Sequence, residues 1–124
     1  MIKIISYCVY PFSLMLITDT SYEELKAELL KSLPDKVHDR IEILNNVGDA
    51  RTVMFETGQT CMVLNKKTPG TIAHEVFHAV EFLMDRIGVK LDPNSDEAYA
   101  YLIGYITDRV YESIDFKSVE NGTR

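Results

Sequence analysis

The sequence predicts one α+β domain, in which a small, mostly antiparallel sheet packs against helices. Short apolar, β-branched runs bounded by turn residues are typical of strands. Longer segments carry apolar residues every three or four positions, which is typical of amphipathic helices. With 124 residues, of which 46% are apolar and 26% charged, the chain is long enough for one hydrophobic core. We therefore predict a single domain over residues 1–115 and a flexible, polar tail over residues 116–124.

The first elements are predicted from apolar runs and from residues that begin or end helices. They are a strand near residues 2–9, a strand near 12–18, a helix over 20–34 and a short helix over 35–45. Overlapping capping-box patterns at Thr20 and Ser21 favour a helix start at that point. Pro34 favours the end of the helix, because proline cannot continue the backbone hydrogen-bond ladder.

A β-hairpin is predicted next, with strands over 51–56 and 60–65 around a turn at Gly58. The second strand leads directly into the following helix. One interpretation of this second strand is an ordinary strand of the sheet.

The most regular helical pattern begins at Thr68, a capping residue followed by a proline at the first helical position. It is predicted to end near Arg86 and Gly88, a basic last turn followed by a glycine stop. The apolar stripe that we predict to be buried comprises Ile72, Ala73, Val76, Phe77, Val80, Leu83, Met84 and Ile87. The adjoining polar face carries His74, His78, Glu81 and Asp85.

This helix contains the motif HExxH, formed by His74, Glu75 and His78. Residues four apart lie on one helical face, so the two imidazoles can bind one divalent cation. Glu75 lies one step round the helix, which suits it to contact a metal-bound water instead of the metal. Zinc lowers the pKa of such a water to about 7, and a carboxylate can take its proton as it attacks a carbonyl. The alternative is a helix that keeps two partly exposed histidines for packing, without metal.

A catalytic zinc site normally has three protein ligands and one open position. Metzincins carry a glycine and a third histidine where this chain has Glu81 and Met84, so that class is excluded. The other common solution is a glutamate from a following helix. Glu97 is the candidate here, with the neighbouring Asp96 as the alternative.

The last helix is predicted from residue 96 to about residue 113, with Asp92 or Ser95 as its cap. One face of this helix carries Glu97, Tyr101, Gly104 and Asp108. We expect a helical hairpin to bring that face over the HExxH helix, with Gly104 allowing a close approach.

HEVFH followed by Glu97, in the setting Asp-Glu-Ala-Tyr-Ala-Tyr-Leu, resembles the active-site helices of gluzincins. The pair of helices is also similar to small metallopeptidases encoded by phages and prophages and, more distantly, to the ImmA/IrrE-like family. The resemblance covers residues 68 to about 112. It implies a minimal zincin-like domain with Zn²⁺ as cofactor, His74, His78 and Glu97 as zinc ligands, and Glu75 as the catalytic base.

The chain departs from the gluzincin pattern at Tyr101, where thermolysin-like members carry an aspartate that orients a ligand histidine. A phenol, Asp96 or Asp108 would then have to orient that histidine. Tyr101 or Tyr105 could also donate a hydrogen bond to the oxyanion of the reaction. The resemblance further implies that the strand over 60–65 borders the cleft and pairs with an extended substrate.

Other features restrict the partners. A net charge of −6 without a basic run argues against nucleic acid. The apolar N-terminal segment contains Pro11 and is too short to span a bilayer, so we expect no membrane association. Cys8 and Cys61 lie in predicted strands and are expected to be buried free thiols of a cytoplasmic protein. His38, outside the motif, is expected to be a solvated helix residue.

The sequence thus predicts zinc-dependent hydrolysis of peptide bonds, with a peptide or protein substrate. The first alternative is a regulatory or interaction module of phage origin that keeps a vestigial zinc site and has no usable cleft. The second is a phage-associated structural protein that binds no metal. Substrate identity and oligomeric state are left open.

Overall fold

The computed structural model describes residues 1–114. The predicted tail over 116–124 and the predicted domain boundary at residue 115 lie outside these residues. The elements, in chain order, are β1 (Ile2–Ser6), β2 (Ser13–Ile17), α1 (Tyr22–Ser32), a 3₁₀ helix (Asp35–Leu44), β3 (Ala50–Met54), β4 (Thr60–Leu64), α2 (Pro69–Arg86) and α3 (Asp96–Ser113). The predicted α+β class is confirmed, and the second predicted helix is a 3₁₀ helix.

The four strands within residues 1–114 form one mixed sheet in the order β1-β2-β4-β3. The β1–β2 and β3–β4 pairs are antiparallel, whereas β2 and β4 run parallel. Two short hairpins are therefore joined along one parallel seam. The prediction of mostly antiparallel pairing is correct for two of the three strand pairs. The predicted β3–β4 hairpin is confirmed.

The position of β4 contradicts the prediction that the strand over 60–65 borders a cleft. β4 lies inside the sheet and pairs with β2 on one side and β3 on the other. Its backbone groups are used by these two ladders, so it cannot also bind a substrate strand. The strand at the edge of the sheet beside α2 is β3.

Helices cover both faces of the sheet and bury separate cores. Along β2 and β4, alternate residues point to opposite faces because side chains alternate along a strand. Leu14, Leu16, Met62 and Leu64 face α2 and α3. Met15, Ile17, Cys61 and Val63 face α1 and the 3₁₀ helix. This explains why both strands are apolar at nearly every position.

The predicted starts of α1 and α2 are confirmed. Ser21 precedes α1, and its hydroxyl accepts a hydrogen bond from the backbone N–H of Glu24. Thr68 precedes α2 and accepts from the N–H of Thr71, with Pro69 at the first helical position. These caps satisfy donors that the first helical turn leaves without an intrahelical partner.

A buried lysine fixes the loop immediately before α2. The Lys67 side chain is 3% exposed, and its Nζ lies 2.6 Å from Oδ2 of Asp19 in the loop after β2. Buried ammonium groups require such a partner, because removal from water strongly disfavours the charge. The ion pair therefore ties the start of α2 to the central strands.

The two cysteines differ in environment. Cys61 is a buried free thiol, as predicted, and burial raises its pKa to about 12. Cys8 is exposed and lies in the turn after β1 with a φ of 65°, so its predicted place in a buried strand is wrong. The first strand ends at Ser6 because the chain reverses between the two strands.

Tyr7, next to that turn, is fully buried. Within residues 1–114, its hydroxyl and that of Thr60 have no hydrogen-bond partner. Burial raises the pKa of Tyr7 to about 12, against a smaller lowering by the nearby Thr60 hydroxyl. The phenol is thus held in its neutral form.

Candidate metal centre

The HExxH motif lies on α2, which packs its apolar face against the sheet. Most of the predicted stripe is buried, but Ala73 and Phe77 are exposed. Glu75 and Ala79 are buried in their place. The helix is therefore rotated relative to the prediction, and this rotation turns the general-base candidate toward β3.

The two histidines converge as the motif predicts. Nε2 of His74 lies 3.1 Å from Nε2 of His78, and the ring centroids are 4.7 Å apart. Two nitrogens bound at Zn–N distances near 2.0–2.1 Å in a tetrahedron are separated by about 3.3 Å. The observed separation thus fits two ligands of a single zinc ion. The His74 side chain is 67% exposed and that of His78 is 39% exposed, so solvent reaches both.

Two neighbours on α2 orient the ring of His78. Its Nδ1 lies 3.6 Å from Oε1 of Glu81. The ring of Phe82 stacks on it at a centroid distance of 6.2 Å and an interplanar angle of 21°. A carboxylate near one imidazole nitrogen favours the tautomer in which the other nitrogen can bind metal. Glu81, predicted on the polar face, therefore lies where it can support His78.

Glu75 is the buried member of the motif, at 6% exposure. The hydroxyl of Thr52, on β3, donates a 2.8 Å hydrogen bond to Oε1 of Glu75. The other carboxylate oxygen lies 3.8 Å from Nε2 of His74. One oxygen is thus bonded to the sheet, and the other faces the histidine pair.

A groove runs between β3 and this face of α2. It consists of two adjoining depressions of about 310 and 250 Å³, and both are lined by Ala50, His74 and Glu75. The first depression also contacts Asp49, Gly70 and Thr71. The second also contacts Arg51, Thr52, His78 and Phe82. Polar side chains therefore line both depressions, and the ring of Phe82 contributes an apolar surface to the second.

Within residues 1–114, β3 pairs with β4 alone, so its other edge is free of strand partners in this part of the chain. The N–H of Asn65 donates to the carbonyl of Asp49, and the N–H of Phe55 donates to that of Gln59. In an antiparallel pair, hydrogen-bonded positions alternate with positions whose backbone groups point outward. Ala50, Thr52 and Met54 are the outward positions of this strand.

The structure does not bring Glu97 to the histidines. Glu97 lies in the first turn of α3 and is exposed. Within residues 1–114, no three His, Cys, Asp or Glu side chains are grouped so that they could hold a metal ion. The donors that the structure brings together are His74 and His78, with Glu75 beside them.

The predicted orientation of α3 is wrong. The face that was expected to cover α2 is exposed; it carries Glu97, Tyr101, Gly104 and Asp108. A Cβ atom at Gly104 would meet nothing within 4 Å, so this glycine allows no close approach. α3 instead buries a face composed of Tyr99, Leu102, Ile106 and Val110. Burial of this more apolar face decides the rotation of the helix.

The other candidate residues lie outside the lining of the groove. Tyr101 is 75% exposed, and the guanidinium of Arg109 lies 5.2 Å from the ring centroid of Tyr105. Nε2 of His38 lies 2.7 Å from the carbonyl oxygen of Leu33, near the end of α1. His38 is therefore a partly buried helix residue that bonds the backbone, instead of a solvated one.

Thr52 was not predicted from the sequence. The sequence carried some information about Thr52, because alternation along the strand places this hydroxyl residue on the same face as the apolar Ala50 and Met54. The strand register that places Thr52 opposite Glu75 could not be predicted from the sequence.

Comparison with known proteins gives no match for this chain, either to a family model or to a curated protein. No solved structure matches it. Among the helices within residues 1–114, none is long and apolar enough to cross a membrane.

Proposed function

We propose that this protein is a zinc-dependent peptidase that hydrolyses peptide bonds in the groove between β3 and α2. The observation that carries the proposal is the convergence of the His74 and His78 Nε2 atoms at 3.1 Å, next to a buried glutamate. The donor set fits zinc, which accepts imidazole nitrogen and carboxylate oxygen ligands in tetrahedral sites. Glu97 is the proposed third ligand.

Zinc, when bound, supplies a Lewis acid that polarises a carbonyl group and increases the acidity of water. The side chains of His74 and His78 hold the ion. Glu97 joins them only if the first turn of α3 approaches the histidines when metal binds, because these residues are not grouped in the structure. The loop before α3, which includes Asp92 and Asn94, is exposed and is the segment that would have to move.

Glu75 is the proposed general base. Its burial and its hydrogen bond to Thr52 leave one carboxylate oxygen facing the histidine pair. From there it can take a proton from the attacking water and deliver it to the amine nitrogen that leaves. In this hydrolysis a C–O bond forms between the water oxygen and the carbonyl carbon, the C–N bond breaks, and the proton ends on the leaving nitrogen.

An extended peptide is the substrate form that the groove favours. The outward N–H and C=O groups of Ala50 and Thr52 can pair with a peptide backbone, which would then lie beside the histidines. This assigns to β3 the substrate-binding role that the sequence had suggested for β4. The ring of Phe82 favours an apolar substrate side chain at that end of the groove.

The second candidate is a zinc-binding regulatory or interaction module without catalysis. One observation favours it: within residues 1–114, no third ligand is grouped with the histidines. Such a module would bind zinc through His74 and His78, and loss of Glu75 would have no functional effect.

The deciding experiment combines metal analysis with hydrolysis of a quenched fluorescent peptide library by purified, untagged protein. We expect about one zinc ion per chain and cleavage that is abolished by a chelator and restored by zinc. Zinc binding without cleavage would favour the second candidate. Absence of zinc after its addition and removal of the excess would refute both.

A further inference from the structure

Thr52 is the one side chain from the sheet that bonds a residue of the HExxH motif among the contacts within residues 1–114. We propose that Thr52 is a positioning residue for Glu75, and that its hydroxyl fixes the carboxylate so that one oxygen faces the attacking water. This inference rests on the proposed peptidase function. It adds to it a residue that lies outside the motif and on another element.

The carboxylate of Glu75 needs such a restraint. The terminal torsion of a glutamate side chain is broad, so packing along the chain does not fix the plane of the carboxylate. A hydrogen bond from a buried hydroxyl does fix it, because burial shields the donor from competing water. Thr52 is 8% exposed and Glu75 is 6% exposed.

The two carboxylate oxygens consequently have different environments. The Thr52 hydroxyl donates to Oε1 at 2.8 Å, whereas Oε2 lies 3.8 Å from Nε2 of His74. The contact between the same hydroxyl and the backbone carbonyl of Glu75 is longer, at 3.4 Å. The hydroxyl proton is thus directed to the carboxylate.

Thr52 is also rigid relative to the substrate-binding edge. It pairs with Met62 of β4, and a β-branched residue in a strand has a restricted χ1 angle. Its own backbone groups point to the free edge of β3, where a peptide would bind. A single residue therefore sets the distance between the general base and the peptide backbone.

The test uses two substitutions of Thr52 in the full chain. Thr52→Val keeps the shape and the strand preference but removes the donor. Thr52→Ser keeps the donor. The matched control is Thr60→Val, because Thr60 is a fully buried strand threonine whose hydroxyl has no partner within residues 1–114.

We expect Thr52→Val to lower kcat about 10- to 100-fold, the size of effect that a misplaced catalytic group produces. KM and zinc affinity should stay within about twofold of wild type, and Thr52→Ser should recover kcat to within about threefold. Thr60→Val should hydrolyse at the wild-type rate. An undiminished kcat in Thr52→Val overturns the inference. So does a loss of zinc affinity together with kcat that Thr52→Ser does not restore, because that pattern indicates a structural role.

A second measurement does not depend on activity. In metal-free protein with ¹³C-labelled glutamate, the Glu75 carboxyl resonance is assigned by its loss in Glu75→Gln. Thr52→Val should shift this resonance, whereas Thr52→Ser and Thr60→Val should not. An unshifted resonance overturns the inference even if Thr52→Val fails to bind zinc.

Failure of the proposed peptidase function and failure of the role assigned to Thr52 give different results. If wild-type protein cleaves no peptide while the resonance shifts, the proposed function fails and the Thr52–Glu75 bond is real but not catalytic. If wild-type protein cleaves and Thr52→Val cleaves equally well, the inference about Thr52 alone fails.

Discussion

Lys67 Nζ and Asp19 Oδ2 are 2.6 Å apart and join the segment that precedes the HExxH helix to the end of β2. The lysine is buried, whereas the aspartate side chain is 58% exposed. The burial of this ion pair is therefore intermediate between that of a fully buried pair and that of a surface pair. Its loss affects a positive charge that has little access to water.

Asp19→Asn should lower the free energy of unfolding by about 1–2 kcal/mol, because it removes the Asp19 carboxylate from the buried Lys67 ammonium. Asparagine tolerates the φ of 51° at this position, so the backbone is not strained by the change. Urea unfolding measures the effect. The control is Asp49→Asn, whose carboxylate lies 3.9 Å from the exposed Lys66; that surface pair should contribute less than about 0.5 kcal/mol. Equal effects of the two substitutions would contradict the role assigned to Lys67.

Substitutions in the HExxH motif are predicted to have effects of two kinds. Glu75→Gln should keep zinc affinity but lower hydrolysis at least about 100-fold, because it removes a general base and no ligand. His74→Ala or His78→Ala should lower zinc affinity by more than about tenfold. Isothermal titration and peptide cleavage separate these effects. His38→Ala, a histidine outside the groove, should change neither quantity; a drop in zinc affinity in that variant would place the site elsewhere.

Substitution of two adjacent acidic residues tests the identity of the third zinc ligand. Glu97→Ala should weaken zinc binding by more than about tenfold if α3 supplies the ligand, since only two ligands would remain. Asp96→Ala, at the neighbouring and also exposed position, should bind zinc as wild type does. The reverse result would shift the assignment by one residue. If neither substitution matters, the gluzincin-like ligand set is wrong.

Proline at the edge of β3 tests substrate pairing. Ala50→Pro removes an outward N–H without removing a ladder hydrogen bond, and proline is tolerated at edge strands. We expect KM for extended peptides to rise by more than about threefold, with zinc affinity unchanged. Ile4→Pro is the control, since Ile4 has the equivalent outward position on β1, at the opposite edge. A similar KM increase in both variants would indicate a general loss of structure.

Alkaline unfolding reports on Tyr7. Its pKa is about 12 in the folded chain, against an ordinary value of 10.0. Above pH 10 the unfolded chain therefore loses a proton that the folded chain keeps, and stability falls as pH rises toward 12. The loss approaches about 2–3 kcal/mol, since each pKa unit corresponds to about 1.4 kcal/mol.

Tyr7→Phe should reduce this alkaline loss and should leave stability near pH 7 unchanged or slightly higher, because the buried hydroxyl has no partner within residues 1–114. Some loss should persist, because burial also raises the pKa of Cys61. Urea unfolding at about pH 8 and about pH 11 makes the comparison. An identical pH profile in Tyr7→Phe would show that the phenol does not cause the effect.

Local patterns were sufficient to predict the helices and the β3–β4 hairpin. The starts of α1 and α2 depend on Ser21 and Thr68, whose capping bonds involve residues three positions away. The convergence of the HExxH histidines likewise depends on helix geometry alone. Such features need no information about distant parts of the chain.

Long-range features were predicted poorly. The order of the strands places β4 inside the sheet through its parallel pairing with β2, and nothing within residues 60–65 encodes that neighbour. The rotation of α3 depends on which apolar face finds a partner, and the exposed position of Glu97 follows from it. The Thr52–Glu75 bond requires both the β3 register and the rotation of α2.

All the residues that line the groove fall between Asp49 and Phe82; they lie on β3, on α2 and, for Asp49, immediately before β3. The core formed by α1 and the 3₁₀ helix lies on the opposite face of the sheet. Substitutions in that second core can therefore accumulate during evolution with little displacement of the groove, provided that the sheet stays intact. Related chains should be recognisable by this stretch together with the carboxylate at position 97, even where their N-terminal sequences have diverged beyond alignment.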